Sequence, residues 1–409
     1  MGNPQLKKIC LITPGHLATN PRLVKEASAL LEAGYQVHVI FTQYMDYLLV
    51  DDEKILNTYT NLTYDKLNWT RNNALRRIYS GAVQKICKWL SRLLPKNNLI
   101  HKLILNRNYF WQYRKAVSAK ASMYISHNLG ALPVAADAAK KNRAKCGFDA
   151  EDFHRNEVSN VPNDFQVKLK TFIDDKYLKE VDYLTCASPL ISKAYKTLYL
   201  QLYPIVINNV FELKHQSQIK LNQNKGLKLF WFSQTIGKNR GLEEVILALN
   251  LIDNPLIELH LLGYLDQNEN GYFNNLANFS INYHQPISNS DIFKLASQFD
   301  IGLALERKQP LNRDICLTNK IFTYLISGLA IIASNTQAQQ LFLKENEAIG
   351  KVYPIGNTTE LSKIIVELLN NKDLLNTYKA NAYKLAQTKY NWEMESKQFI
   401  DIVEKTLNN

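Results

Sequence analysis

The first 40 residues alternate apolar and polar positions in a strand–helix–strand pattern. The apolar run KKICLITP predicts a buried strand, and a turn containing Pro14 and Gly15 follows it. Asn20 or Thr19 then fits the capping position of a helix, with Pro21 as its first residue. Gly34 closes that helix before a second apolar run, QVHVIF. This order of elements predicts an α/β fold with a parallel sheet.

Residues 300–334 repeat the pattern and add polar side chains at one point. An apolar strand precedes a polar, basic loop, and a helix then runs from Asn319 to Ser327. Gly328 ends the helix, and a fully apolar strand follows it. In open α/β sheets, ligands bind beyond the carboxyl ends of the strands and against helix N-termini. The loop is therefore a candidate anion site, although an ordinary βαβ unit with a solvated loop explains the pattern about equally well.

The length of 409 residues is about that of two domains. A polar, featureless stretch at 215–226 has the composition of an interdomain linker. We predict an N-terminal domain at 1–212, with a basic insertion at 66–120, and a C-terminal domain at 213–389. A final helical segment at 390–409 is expected to return to the N-terminal domain.

The net charge of +12 is concentrated in one segment. Residues 66–136 contain 13 Lys and Arg and no Asp or Glu, so the remainder has 49 − 13 = 36 basic and 37 acidic residues. This distribution argues against a nucleic-acid-coating protein. Five scattered cysteines without a CxxC pair predict reduced thiols in the cytoplasm and no structural zinc. The sequence has no apolar run of about 18 residues, so we expect no membrane-spanning helix.

Residues 76–96 within this segment have the period of an amphipathic helix. Ile78, Ile86 and Trp89 share one face, and the basic residues lie mostly on the other. Basic amphipathic helices with interfacial aromatics suit an anionic membrane surface. We predict membrane contact through Arg77, Lys85, Lys88, Trp89 and Arg92. The alternative is a solvated helix whose apolar face packs against the domain.

Six motifs, each weak alone, resemble in their order the retaining family-four glycosyltransferases of the GT-B fold. They are ITPGHLATNPRLVKEASALLEAGYQVHVI, YISHNLGALPVAA, VDYLTCASPLISKAY, VINNVF, SQTIGKNRGLEEVI and TNKIFTYLISGLAIIAS, followed by a late Tyr390-Asn391-Trp392-Glu393. The resemblance implies two Rossmann-like, doubly wound domains facing across a cleft. It also implies that a nucleotide-sugar donor, such as a UDP- or GDP-sugar, binds mainly to the C-terminal domain and an acceptor to the N-terminal one.

The resemblance also implies which residues bind the donor. Arg240 matches the family's lysine for the diphosphate, whereas Gln234 replaces the usual arginine, and Lys238 or Lys320 is expected to compensate. The family's two glutamates, which seven other residues separate, align with Ile315 and Thr323, so neither carboxylate is present. Thr323 is expected to bind a hydroxyl of the donor ribose more weakly than the glutamate would. The remaining donor-binding candidates lie in the first glycine loop and in the candidate anion loop: Gly15, Glu306 and Asn319.

His127 matches the family histidine that contacts the transferred sugar, and it is the catalytic candidate; a buried structural histidine is its alternative. His16 in the glycine loop is a second candidate. The resemblance requires no cofactor and no metal, because a helix dipole, backbone N–H groups and Arg240 would oppose the charge of the leaving diphosphate. The carboxylates and histidine among residues 149–157 have no regular ligand spacing, which makes a metal site there a minor alternative.

The resulting interpretation is a retaining glycosyltransferase for lipid-linked surface polysaccharide or lipopolysaccharide, cytoplasmic and peripherally bound to the inner face of the cell membrane. Two alternatives stay open. A GT-B nucleotide-sugar epimerase would use carboxylates such as those at 149–157 and need no acceptor. A non-catalytic GT-B subunit, which binds a partner or a membrane, is suggested by the missing carboxylate pair.

Overall fold

The computed structural model describes residues 7–409, which form two α/β units. Unit 1 comprises the described residues up to Ile207 together with Ser396–Asn409, and unit 2 is Asn208–Glu395. The division therefore falls at residue 207 rather than at the predicted 212. No helix within residues 7–409 has the length and apolar character needed to cross a membrane.

All paired strands of the sheet of unit 1 run parallel in the order β3-β2-β1-β4-β5-β6-β7. The strands are β1 (Lys8–Ile12), β2 (Gln36–Gln43), β3 (Thr63–Asn68), β4 (Met123–His127), β5 (Lys145–Ala150), β6 (Tyr183–Cys186) and β7 (Ile205–Val206). The helices between them are α1 (Pro21–Glu32), α2 (Leu49–Thr58), α3 (Ala74–Leu90), α4 (Asn98–Leu105), α5 (Tyr109–Ala119), α6 (Leu132–Asn142), α7 (Phe165–Tyr177) and α8 (Pro189–Leu198).

The sheet of unit 2 is also parallel, in the order β10-β9-β8-β11-β12-β13. Its strands are β8 (Leu227–Thr235), β9 (Ile257–Tyr264), β10 (Asn282–His284), β11 (Ile301–Ala304), β12 (Ala330–Ser334) and β13 (Gly350–Tyr353). The remaining helices are α9 (Leu242–Ile252), α10 (Gln267–Leu276), α11 (Asn289–Ala296), α12 (Leu311–Ile315), α13 (Asn319–Ser327), α14 (Gln337–Glu345), α15 (Thr358–Asn370), α16 (Lys372–Thr388) and α17 (Trp392–Asn408).

The helix boundaries follow from capping chemistry that the sequence contains. The Asn20 side chain accepts a hydrogen bond from the Leu23 N–H at 3.1 Å, and Pro21 begins α1 as predicted. Gly328 ends α13 in the left-handed conformation at a φ of 68°, which glycine adopts without steric cost. The predicted doubly wound α/β class is confirmed for both units, because each sheet has the Rossmann strand order.

Two features differ from the predicted organisation. The basic segment begins inside the sheet, since Lys66 and Leu67 belong to β3, and it continues through α3, α4 and α5. It is thus the connection from β3 to β4, not a separate insertion. The loop predicted between β11 and α13 contains the short helix α12.

The tight packing of unit 2 generates a stability prediction at Gly302. A Cβ added there would lie 2.2 Å from the Cγ of the buried Tyr324 side chain, so it would overlap the ring. Gly302→Ala therefore forces β11 and α13 apart. We expect a loss of about 1–3 kcal/mol in the unfolding free energy, as in other overpacked cores. Thermal and urea unfolding followed by circular dichroism measure it.

Gly271→Ala in α10 is the matched control. A Cβ at this position meets no atom within 4 Å, and alanine favours the helix, so stability should hold or rise slightly. Equal unfolding curves for Gly302→Ala and the native protein would contradict the packing argument.

Candidate active site

Both sheets reverse their strand order at one place, and most of the predicted site residues lie at these two places. In unit 1 the reversal lies between β1 and β4, and in unit 2 between β8 and β11. The crevice beyond the carboxyl ends of such a strand pair is where ligands bind in open α/β sheets. The segments after β1 and β4, and those after β8 and β11, therefore form the two candidate sites.

The two segments of unit 1 touch each other at the reversal. The Thr13 hydroxyl donates to the Asn128 Oδ1 at 3.3 Å, and Gly130 lies so close to Pro14 that a Cβ there would be 3.2 Å from the proline ring. Gly15 stands beside Tyr44 and Thr19, each 3.8 Å from the position of a Gly15 Cβ. Small residues thus leave the backbone of this loop accessible at the sheet edge.

His16 has a structural role in the same loop. Its Nε2 accepts hydrogen bonds from the Tyr44 and Met45 N–H groups at 2.8 and 2.9 Å, which places the ring proton on Nδ1. That nitrogen donates to Asp52 at 2.6 Å. Hydrogen bonds from His16, Ala18 and Gln43 to Asp52 outweigh the effect of burial and lower the pKa of that carboxyl. Both ring nitrogens of His16 are used in holding the loop.

A buried ion pair lies behind this loop, between α1 and β5. The Arg22 guanidinium binds both oxygens of Asp149, through Nε and through a second nitrogen at 2.7 Å, and donates to the Ile207 carbonyl at 2.6 Å. Asp149 also accepts from the Thr185 hydroxyl at 2.7 Å. Burial opposes ionisation of Asp149, but the Arg22 charge and His127 hold the pKa of this carboxyl well below its usual range.

His127 ends β4 and lies between two carboxylates, with only 1 % of its surface exposed. Its Nε2 is 3.1 Å from Glu26 and its Nδ1 is 3.5 Å from Asp149. Neither contact has the alignment of a hydrogen bond, so the attraction is mainly that of charges. Burial alone would lower the pKa of His127, but the negative charges of Glu26 and Asp149 outweigh it and raise this pKa to about 9.

Glu26, His127 and Asp149 each offer a metal-ligand atom, and these atoms lie within 4.8 Å of one another. Two observations disfavour a cation there. Arg22 already neutralises Asp149, and the two carboxylates face opposite nitrogens of the same ring. The group fits an imidazolium held between carboxylates better than a metal site.

The carboxylates predicted at 149–157 separate in the structure. Asp149 belongs to the buried group, whereas His154 and Glu157 pair with each other at 3.3 Å, and Lys170 binds Glu157 at 2.6 Å. Glu151 follows β5 directly, and burial together with Asp152 and Asp149 raises its pKa to about 7. Only Asp149 and Glu151 remain associated with the site.

Arg240 is fixed at the reversal point of unit 2. Its guanidinium donates to the Ser233 hydroxyl at 2.7 Å and to the Thr235 hydroxyl at 2.9 Å, at the carboxyl end of β8. Gly241 follows with a φ of 83°, and a Cβ there would lie 2.7 Å from Leu305 after β11. Only glycine allows this approach, so the N-terminus of α9 begins directly beside Arg240.

The other predicted donor-binding side chains of unit 2 differ in their solvent exposure and in whether another residue already binds them. Gln234 is exposed at the end of β8, Asn319 is exposed at the start of α13, and Lys238 lies over the Tyr272 ring at 4.2 Å. Lys320 pairs with Glu306 at 2.8 Å, and that charge lowers the pKa of Glu306 despite burial. Thr323 is 2 % exposed and donates to the Asn319 carbonyl at 3.0 Å.

Arg77, Lys85, Lys88, Trp89 and Arg92 lie on α3 or directly after it. Lys85, Lys88, Trp89 and Arg92 are exposed, and Arg77 is partly buried. The predicted alternative, in which the apolar face of this helix packs against the domain, is wrong. Ile78, Ile86 and Trp89 are 68, 56 and 58 % exposed.

Arg22, Glu26 and Asp52 were not among the predicted site residues. The signal for the first two was available: Arg22 and Glu26 are four residues apart and share the helical face of Leu23, Ala27 and Leu30. The apolar period of α1 does not reveal them, because both are charged residues on an otherwise apolar face. Asp52 lies on α2, for which no helix was predicted.

Residues 244–401 match the family described as "Glycosyl transferase-like". Among curated proteins, none matches this chain by sequence. The predicted resemblance to the GT-B glycosyltransferases is confirmed by this match and by the solved structures that follow.

Three solved structures illustrate the similarity. HepE from Anabaena, in complex with UDP-glucose, has 12 % identity and a TM-score of 0.67, with 98 % of this chain and 100 % of that chain covered. Sucrose-phosphate synthase from Thermosynechococcus elongatus has 13 % identity and a TM-score of 0.69, with 98 % of each chain covered. TarM from S. aureus, solved with UDP and alpha-GlcNAc-glycerol, has 11 % identity and a TM-score of 0.66, with 97 % and 99 % covered. At such identities the likeness establishes the GT-B fold.

The buried group generates a prediction about the charge of His127. Removing the charge of Glu26 in Glu26→Gln leaves burial less opposed, so the pKa of His127 should fall by at least about one unit. Histidine NMR titration measures this pKa, with His127→Gln used for assignment.

The pKa of His127 in the folded protein lies above the usual histidine value, so its charged form stabilises the fold. This stabilisation is complete below about pH 6.5 and is lost as the pH rises through 9.

Asp52→Asn is the control, since it removes the carboxylate beside the other loop histidine and should leave the His127 titration unchanged. A native His127 that titrates near pH 6.5 would rule out the charged group.

Proposed function

We propose that the protein transfers a sugar from a nucleotide-sugar to a glycan or lipid-linked acceptor, with retention of the anomeric configuration. The observation that carries this proposal is Arg240. Its guanidinium is held at the strand-order reversal of unit 2, beside the N-terminus of α9, in a chain with a glycosyl transferase-like C-terminal region. A fixed cation beside unpaired backbone N–H groups is suited to a diphosphate.

Arg240 is proposed to bind the donor diphosphate, with help from Lys238 and from the N-terminus of α13 at Asn319. Lys320 contributes less free charge than its position suggests, because Glu306 neutralises it. Gln234, exposed at the same strand end, offers an uncharged donor. In this proposal Arg240 and the helix N-termini oppose the charge of the leaving diphosphate, so that no metal is required.

His127 is proposed as the catalytic residue of unit 1. As an imidazolium between Glu26 and Asp149, it has an N–H on both nitrogens, and each N–H faces a carboxylate. Donation to the transferred sugar therefore requires one of these two contacts to open. Arg22 and His127 together balance the charges of the two carboxylates, so the group would not repel a sugar that becomes positive in the transition state. Gly15 is proposed to bring the loop backbone close to the substrate.

The proposed setting is the synthesis of a surface polysaccharide or lipopolysaccharide at the inner face of the cell membrane. The unequal charge distribution supports it, since the basic excess lies in residues 66–136 rather than over the whole chain. Nucleic acid is not a proposed partner.

A non-catalytic subunit is the second candidate, because Ile315 and Thr323 stand where the family's two glutamates align. Ile315 is buried, and the hydroxyl of Thr323 is bonded within its own helix. Such a subunit would bind no nucleotide, or would bind it without turnover. An epimerase would convert a nucleotide-sugar without any acceptor, which separates it from both.

Thermal unfolding with UDP, GDP, ADP or CMP tests the proposal. A nucleotide at ten times its dissociation constant adds about 1.4 kcal/mol to the unfolding free energy, which gives a measurable rise in Tm. We expect one nucleotide to raise the Tm and Arg240→Ala to abolish the rise, because the mutation removes the fixed cation.

Lys294→Ala is the matched control, since Lys294 is an exposed basic residue on α11 of the same unit. Its Tm response should equal that of the native protein. If no nucleotide shifts the native Tm, the protein does not bind these nucleotides, and the non-catalytic subunit becomes the favoured function.

A further inference from the structure

Helix α3 packs on unit 1 with its polar side inward. Ser80 and Cys87 are the buried residues of the helix, and Gln84 donates to the Ile104 carbonyl at 2.7 Å. The Arg107 guanidinium donates to the Ser80 hydroxyl at 2.9 Å and to the Arg77 carbonyl. Hydrogen bonds, rather than an apolar stripe, therefore fix the orientation of α3.

The apolar side of α3 points away from the protein. Leu75 is 87 % exposed, and a row of large side chains continues from it along the helix and into the following turn: Ile78, Tyr79, Ile86, Trp89 and Leu93. The spacings of three, four and seven residues place these side chains on one face. A contiguous exposed apolar row of this kind marks an interaction surface, since surface helices normally bury such a face.

Part of the unpaired positive charge of the basic segment lies beside this row. Three basic residues elsewhere in the segment are neutralised: Lys66 by Glu53, Lys102 by Asp137 and Lys115 by Asp65. Arg76, Lys85, Lys88 and Arg92 on and after α3 are exposed, and none has an ion pair within residues 7–409. The surface thus combines bulky apolar side chains with uncompensated cations.

We propose that α3 docks unit 1 on an anionic lipid bilayer, with the row from Leu75 to Leu93 in the boundary between headgroups and acyl chains. The choice of occupant follows from charge complementarity. A second copy of this surface would place like charges together, whereas lipid phosphates match Arg76, Lys85, Lys88 and Arg92. Trp89 suits the interface, because its ring is apolar and its N–H is polar.

The docked helix is connected to the carboxyl edge of the unit 1 sheet. Arg107, which holds α3, also lies over the Trp69 ring at 4.4 Å, and Trp69 stacks on Tyr44 at 5.2 Å. Tyr44 is the neighbour of Gly15 in the candidate site. A bilayer under α3 is therefore connected, through three packed side chains, to the Gly15 loop, whose backbone is proposed to lie close to the substrate. Resting on the proposed function, this places the acceptor among amphiphiles whose lipid part stays in the bilayer.

The docking is tested by flotation of the full chain with two kinds of vesicle. One is phosphatidylcholine alone, and the other contains about 30 mol % phosphatidylglycerol, which makes the surface strongly anionic. The native protein should float with the anionic vesicles and much less with the neutral ones. Lys85→Glu, Lys88→Glu and Arg92→Glu combined should reduce the bound fraction about tenfold or more, since each cation near such a surface adds to the attraction. Trp89→Glu should also reduce it, because it puts a charge in the apolar row.

Two control variants carry the same kinds of substitution on unit 2. Lys344, Lys372 and Lys384 are exposed on unit 2, and their combined change to Glu alters the net charge equally. Leu251→Glu places a charge at another exposed apolar residue, on α9. Both control proteins should float like the native chain, and circular dichroism should show unchanged helix content in every variant.

Unchanged flotation of the α3 variants, or equal flotation on neutral vesicles, overturns the proposal. So does a native dimer that Trp89→Glu converts to a monomer without any vesicle binding, since the row would then be an interface between copies. Nucleotide-dependent Tm shifts are measured in the same variants without vesicles. Lost flotation with intact Tm shifts assigns α3 to docking alone, whereas intact flotation without any Tm shift counts against the proposed function only.

Discussion

The ion pair between Arg22 and Asp149 is the constraint on which the candidate site of unit 1 depends. Arg22 lies on α1, Asp149 on β5, and the same guanidinium binds the carbonyl of Ile207 beyond β7. A buried cation without its partner costs several kcal/mol, typically about 3–5 when one member is removed. The pair therefore fixes the position of α1 against the sheet. It thereby also fixes the turn of this helix that contains Glu26, the residue that faces His127.

The same pair determines the charge of the catalytic candidate. Asp149 stays ionised because Arg22 is bound to it, and the ionised Asp149 together with Glu26 keeps the proton on His127. His16 shows the contrast within the same unit. It lies one loop away, has a single carboxylate partner, and uses its second nitrogen to accept backbone N–H groups. Two buried histidines thus differ in role because of the groups that face them.

The fold could be predicted from the sequence because it depends on features that are local. Alternation of apolar strands with capped helices gives the doubly wound class, and the caps at Asn20 and Gly328 are set by adjacent residues. The candidate site could be located from the sequence only where it lies near strand ends, as for His127 and Arg240. The partners Arg22 and Glu26 come from another element, and their pairing with Asp149 depends on contacts 127 residues apart, which no local pattern contains.

Helix α3 shows a second limit of local patterns. Its period establishes two faces but not which one points inward, because that choice depends on what the neighbouring residues offer. Arg107 and the Ile104 carbonyl offer polar partners, so Ser80 and Gln84 turn toward the protein and the apolar row turns away. An apolar face usually settles the orientation of a helix by burial. Here a few hydrogen bonds set the opposite orientation, with the apolar face outward. Burial stabilises the exposed row only when an apolar partner covers it.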